Sequence, residues 1–139
     1  MTIVKFLLAI VLLGGAVQAW VRLAPLPAVR FGVRPGPTAP GVHRHPGGVT
    51  IVRPLGELRP DPQAQLEAII AATPRTRALG GDPAAFVTRS AFWGFPDIAL
   101  VWSDGHHLHL HSELVFGRRD MGVNADRAAR WFAALEAQG

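Results

Sequence analysis

Between Lys5 and Arg22 the chain carries sixteen residues, Phe6 to Val21, in which Gln18 is the only polar side chain. No other stretch constrains the fold as much, because a run this apolar is either held in lipid or removed. A bilayer core takes about 20 apolar residues, with about 17 at the low end. Ile3 and Val4 extend the run to that length, with Lys5 snorkelling toward water. A cleaved signal peptide is the competing reading, since Val17-Gln18-Ala19 suits a signal peptidase. A buried helix of a soluble protein is the third. The uncleaved anchor is the reading adopted here. It makes the membrane the first partner and predicts a single-pass inner-membrane protein whose C-terminal part faces the periplasm. Arg22, Arg30 and Arg34 follow the run, against a strict positive-inside rule.

The charge divides in the same way. Fourteen Lys and Arg against ten Asp and Glu give a net +4. The excess lies in Lys5, Arg22, Arg30, Arg34 and Arg44, and the part from residue 48 onward has nine Arg and all ten acids. No basic stripe falls on the foldable part, so nucleic acid is not an expected partner. Zero Cys excludes disulfides, zinc–cysteine sites, thiol catalysis and lipidation at a Cys. Residues 22–47 hold Pro25, Pro27, Pro35, Pro37, Pro40 and Pro46. Proline removes donors and fixes φ, so neither helix nor sheet is expected there. The resulting division is an anchor or signal peptide over 1–21, a Pro/Gly/Arg-rich linker over 22–47 and a domain over 48–139.

Within that domain, Val49 to Arg53 reads as a strand. Asp61-Pro62 supplies an N-cap and a first-turn proline. Leu66, Ile69, Ile70 and Thr73 share one helical face, and Pro74 stops that helix. Residues 74–83 read as loop. Strands are expected over Ala85–Phe92, Asp97–Ser103 and His106 to about Val115, the last two joined by the hairpin signal Asp104-Gly105. Asn124 is the expected cap of a last helix with Ala125, Ala128, Ala129, Phe132 and Leu135 on its buried stripe. The order β-α-β-β-β-α is α+β: an antiparallel sheet with two helices mainly on one face, preceded by the membrane helix.

Several stretches resemble the domain of unknown function 1499 family of bacteria and plastids. They are Thr50-Ile51-Val52-Arg53-Pro54-Leu55, Pro74-Arg75-Thr76-Arg77, Val87-Thr88-Arg89-Ser90, Phe92-Trp93-Gly94-Phe95-Pro96-Asp97 and Phe116-Gly117 through Asp120-Met121-Gly122-Val123-Asn124. Trp20-Val21-Arg22-Leu23-Ala24-Pro25 is similar to the anchored bacterial members. The resemblance implies a fold and a membrane location and no reaction. Where such members carry Arg-Ser-x-Ser-Arg, this chain reads His111-Ser112-Glu113-Leu114-Val115, and Arg119 stands where Ser is usual.

Three groups of residues suggest chemistry, each beside a plainer explanation. Asp120 and Asn124 flank Gly122 ahead of the last helix, suiting either a small ligand site or local capping. Arg89, with Arg53, Arg75 and Arg77, suits an anion, or simple pairing with Glu57, Glu67, Asp82 and Asp97. His107, His109 and His111 share one face of a strand and suit a metal, given a third ligand from elsewhere, or a polar sheet surface. No cofactor fingerprint or hydrolase signature is present, and no catalytic residue is assigned. Ser90 or Ser112 joins a His and an acid only on paper.

The expected function is therefore non-catalytic binding of a partner protein, lipid or small anion by a membrane-tethered domain. The alternative is a hydrolase or metal-dependent enzyme built on His107, His109, His111 and Asp120. A two-residue Asp104-Gly105 loop would pair Trp102 with His107, Leu100 with His109 and Ile98 with His111. That face, half apolar and half imidazole, with Trp102 beside Leu100 and Ile98, is the expected docking surface. Ala99, Val101, Leu108 and Leu110 form the expected core face.

Overall fold

The structure is a computed structural model that describes residues 1–138. Helix α1 (Thr2–Leu23) is exposed along nearly its whole length and is long and apolar enough to cross a membrane. Its first buried side chain is Val21, at the end nearest the domain.

The domain is α+β, as the sequence pattern predicts. Strands β1 (Gly41–His45), β2 (Gly48–Pro54), β3 (Thr76–Gly80), β4 (Ala84–Arg89), β5 (Pro96–Ser103) and β6 (His107–Leu114) form one sheet. Its order is β1-β2-β6-β5-β4-β3, and every neighbouring pair is antiparallel. Helices α2 (Pro62–Ala71) and α3 (Val123–Ala137) bury Leu66, Ile70, Ala128, Trp131, Phe132 and Leu135 against one face. That face supplies Val49, Ile51, Phe86, Ala99, Val101, Leu108 and Leu110. These residues alternate along their strands, as a two-residue repeat requires.

Two strands go beyond the sequence reading. β1 lies inside the stretch read as linker and pairs with β2 through a tight turn. It is an edge strand, and between Pro40 and Pro46 five residues are free of proline, enough for one short ladder. β3 occupies the other edge, in the stretch read as loop, with a register shift between Ala78 and Gly80. Edge strands gain from only one neighbour, so their sequences show little alternation.

The β5–β6 register also differs. Ser103 pairs with Leu108, Trp102 with His109, Leu100 with His111 and Ile98 with Glu113. The hairpin loop thus holds four residues, closed by the Asp104 N–H donating to the His107 carbonyl at 3.2 Å. A shift of two keeps every side chain on its expected face. The partition into faces therefore stands, although the expected partners do not.

The second face is not open. Trp102 is 4% and His109 1% exposed. Phe31, Leu79 and Val115 pack on Ala85, Ile98, Leu100 and Trp102. The Arg30 guanidinium donates to the Leu114 carbonyl at 2.9 Å, and Arg34 pairs with Asp82 at 3.0 Å. Gly36, at φ +91°, sits so close to Thr50 that a Cβ would collide with its side chain. The Pro-rich segment folds back over the sheet, and the expected docking surface is lost beneath it.

Candidate functional site

The four histidines of the β5–β6 hairpin do not act as one ladder. Successive same-face positions on a strand stand about 6.6–7 Å apart, so three of them are too widely spaced for one ion. The structure splits them. The Asp104 carboxylate reaches the His109 Nε2 at 2.8 Å and the His107 Nδ1 at 3.3 Å. The same side chain accepts the His106 and His107 amides at 2.8 and 2.7 Å, which closes the turn. The His109 hydrogen bond, followed by these amides, holds the Asp104 carboxyl well below the usual carboxylate range. One ligand atom from each of Asp104, His107 and His109 lies within 4.8 Å of the others, so the candidate metal group is this triad. His111 does not belong to it. Its Nδ1 is 2.8 Å from the Thr50 hydroxyl, its ring stacks on His45 at 5.5 Å, and its Nε2 lies 3.3 Å from Glu113 without the direction of a hydrogen bond. The His109 ring stacks flat on Trp102 at 4.9 Å, so both expected binding residues fill the interior.

At the other candidate position, capping belongs to Asp120 and not to Asn124. The Asp120 carboxylate accepts the Asn124 amide at 2.7 Å and the Gly122 amide at 3.1 Å. Burial acts to raise its carboxyl pKa, but the Asn124 and Gly122 hydrogen bonds outweigh it and the net shift is downward. Asn124 lies one residue inside α3 and is fully buried. Its Oδ1 accepts from the Ser112 hydroxyl at 2.6 Å and from Arg127 at 3.3 Å. Arg127 also pairs with Asp97 at 3.0 Å, yet burial keeps the Asp97 carboxyl above its usual range. Asn124 thus ties α3 to β6 and is closed to ligands.

Beside Asp120 an open cleft of about 520 Å³ runs between the β1–β2 turn and the start of α3. Arg44, His45, Arg119, Asp120 and Met121 line it. Arg44 and Arg119 are exposed, and neither has a carboxylate partner among the described residues. The sequence reading missed this pairing, because Arg44 falls in the stretch read as linker and only the β1–β2 hairpin brings it toward Arg119.

Of the arginines expected to converge on an anion, Arg53 and Arg75 make other contacts, while Arg77 lies near Arg89. Burial first, then Arg77 and Arg22, lower the Arg89 pKa. Arg53 lies over the Phe132 ring at 5.5 Å. Arg75 donates to the Arg89 carbonyl at 3.0 Å. Arg89 donates to the carbonyls of Gly94 at 2.8 Å and Val21 at 3.4 Å, joining the β4–β5 turn to the end of α1. Their expected partners Asp82 and Asp97 pair with Arg34 and Arg127 instead. No Ser–His hydrogen bond is present among the described residues. Ser90 Oγ accepts the Phe95 amide and Ser112 Oγ serves Asn124. No family model, no curated protein and no solved structure matches this chain.

Proposed function

We propose that this chain is a membrane-tethered, extracytoplasmic binding domain of a bacterial inner membrane, and that its ligand is a small anion held in the cleft beside Asp120. One observation carries the anion: two exposed arginines, Arg44 and Arg119, line one open cleft and neither has a carboxylate partner among the described residues. Phosphate and carboxylate groups are bound where two or more guanidinium groups converge. Asp120 does not spoil the site for an anion, since its charge is engaged by the first amides of α3. The tether rests on α1, and the periplasmic orientation and kinship with the domain of unknown function 1499 family belong to the same proposal. Phosphate titrated into the detergent-solubilised full chain tests the ligand. Wild-type protein is expected to bind, and the double variant Arg44→Ala/Arg119→Ala to lose at least most of that affinity. Equal binding by both proteins sinks the proposal.

A second reading has its own observation. Asp104, His107 and His109 offer a carboxylate and two imidazoles, a ligand set that suits Zn²⁺ or Cu²⁺. Under this reading the metal-dependent alternative uses that triad and leaves out His111 and Asp120. Cobalt substitution, followed by its visible spectrum in wild type and in His107→Ala, separates it from the anion reading.

A further inference from the structure

The turn between β4 and β5 presents Phe92, Trp93 and Phe95 to the outside, at 69%, 39% and 40% exposure. It does not hang free. The Phe92 carbonyl accepts from the Gln18 amide and from Arg22 at 3.1 Å, both on the last turns of α1. Arg89 binds the Gly94 and Val21 carbonyls together. Gly94, at φ +78°, lies so near Arg22 that a Cβ would stand 2.9 Å from its side chain. The aromatic rings continue onto α1 and the β6–α3 loop. Phe92 packs edge-on to Trp93 at 5.0 Å, Phe95 lies 6.3 Å from Phe116, and Phe116 lies 5.6 Å from Trp20.

Depth follows from helix geometry. At about 1.5 Å per residue α1 is about 33 Å long. A hydrocarbon core is about 30 Å thick. The last turns of α1 therefore reach the lipid–water boundary, and a backbone bonded to Gln18 and Arg22 sits at that same level. Trp and other amphipathic rings favour this layer. We propose that the 90–95 turn is a second membrane contact, with Phe92, Trp93 and Phe95 inserted beside Trp20 into the interface of the bilayer that α1 crosses. This inference rests on α1 spanning the membrane and adds that the domain lies on the lipid instead of swinging on a linker. The segment after α1 agrees, since it is spent covering the sheet. β5 runs away from the turn, and its eight residues carry Asp104 about 27 Å from the aromatic end. The metal-type triad then lies at the opposite end of the β5–β6 hairpin from the aromatic turn.

The absence of Cys makes spin labelling clean. Single variants Leu12→Cys, Phe92→Cys, Trp93→Cys and His106→Cys, each in the full chain, are labelled and reconstituted in phosphatidylcholine vesicles. Collision with oxygen and with a water-soluble nickel chelate is then compared. Labels at 92 and 93 are expected to lose nickel accessibility relative to 106 and to gain oxygen accessibility, as the label at 12 does. Nickel accessibility at 92 and 93 equal to that at 106, with 12 still in lipid, overturns the docking and leaves the tether intact. A label at 12 open to nickel overturns both. Labels at 92 and 93 shielded from both agents mark burial of the turn against the chain's own surface or a second copy and also overturn the lipid contact.

Discussion

The two faces of the sheet are both buried, but by different means. One lies under α2 and α3 and is wholly apolar at its centre: Val101, Leu108 and Leu110 have no exposed surface. The other lies under irregular chain around Phe31 and carries His109, His111 and Thr50 among its buried groups. The difference shows what irregular cover permits. Under the helices the buried polar side chains are small ones, Thr88, Ser112 and Asn124, set around the apolar centre. A proline-rich segment has freer backbone geometry and can lie against a face that keeps imidazoles, provided these find partners. His109 has Asp104 and His111 has Thr50, so each is satisfied at one nitrogen. Among the described residues their remaining ring nitrogens, His109 Nδ1 and His111 Nε2, have no hydrogen-bond partner, and the same holds for Asn124 Nδ2 on the helix-covered side.

Matched truncations test that contrast most strongly. Leu110 and Leu100 are comparably buried on adjacent strands and point to opposite faces. Leu110→Ala is expected to cost about 4 kcal/mol, near the upper part of the range for buried leucine, because two helices hold the cavity open. Leu100→Ala is expected to cost about 2–3 kcal/mol, because an irregular cover settles into the space. Denaturant unfolding of the detergent-solubilised chain measures both. Equal losses would mean that the linker is as rigid as the helices.

A smaller effect is expected from the cover itself. Phe31 is only partly buried, so Phe31→Ala is expected to cost about 1–2 kcal/mol, well under the penalty for a fully buried aromatic. Its sharper readout is Trp102 fluorescence, isolated by replacing Trp20, Trp93 and Trp131 with Phe. A red shift is expected as water reaches the indole, and an unchanged spectrum would show that Phe31 is not what keeps this face dry.

How far the sequence was legible follows the same division. Leu66, Ile70, Phe132 and Leu135 announce the helix-covered face through 3.6-residue spacing, and the alternation in β5 and β6 announces which strand residues meet them. Phe31 has no periodic context, so nothing local links it to Trp102, about seventy residues away. The hairpin failed for a chemical reason. Asp104-Gly105 favours a two-residue loop, but the Asp104 carboxylate takes two amides and His109, which a wider loop allows. Asn124 was misread because caps are assigned by residue type. Asp120 stands four residues earlier and reaches the same amide, leaving Asn124 to the interior.

The smallest expected effect lies at the tip of that hairpin, where the second face meets water. Asp104 is held below its ordinary carboxylate pKa, first by the His109 hydrogen bond and then by the His106 amide. A group depressed on folding contributes stability above its unfolded pKa, about 3.9 for Asp, and loses it as pH falls through the lower folded value. The group is partly exposed, so solvent screening reduces the effect below what the shift alone suggests. Asp104→Asn is therefore expected to lower the unfolding midpoint at pH 5 and to lose that deficit progressively toward pH 2.5. Asp97 and Glu113 titrate in both proteins, so the difference between the two chains isolates Asp104. Thermal melts at four pH values between those limits measure it. A deficit that stays constant with pH would mean that Asp104 acts through the shape of its turn and not through its charge on His109.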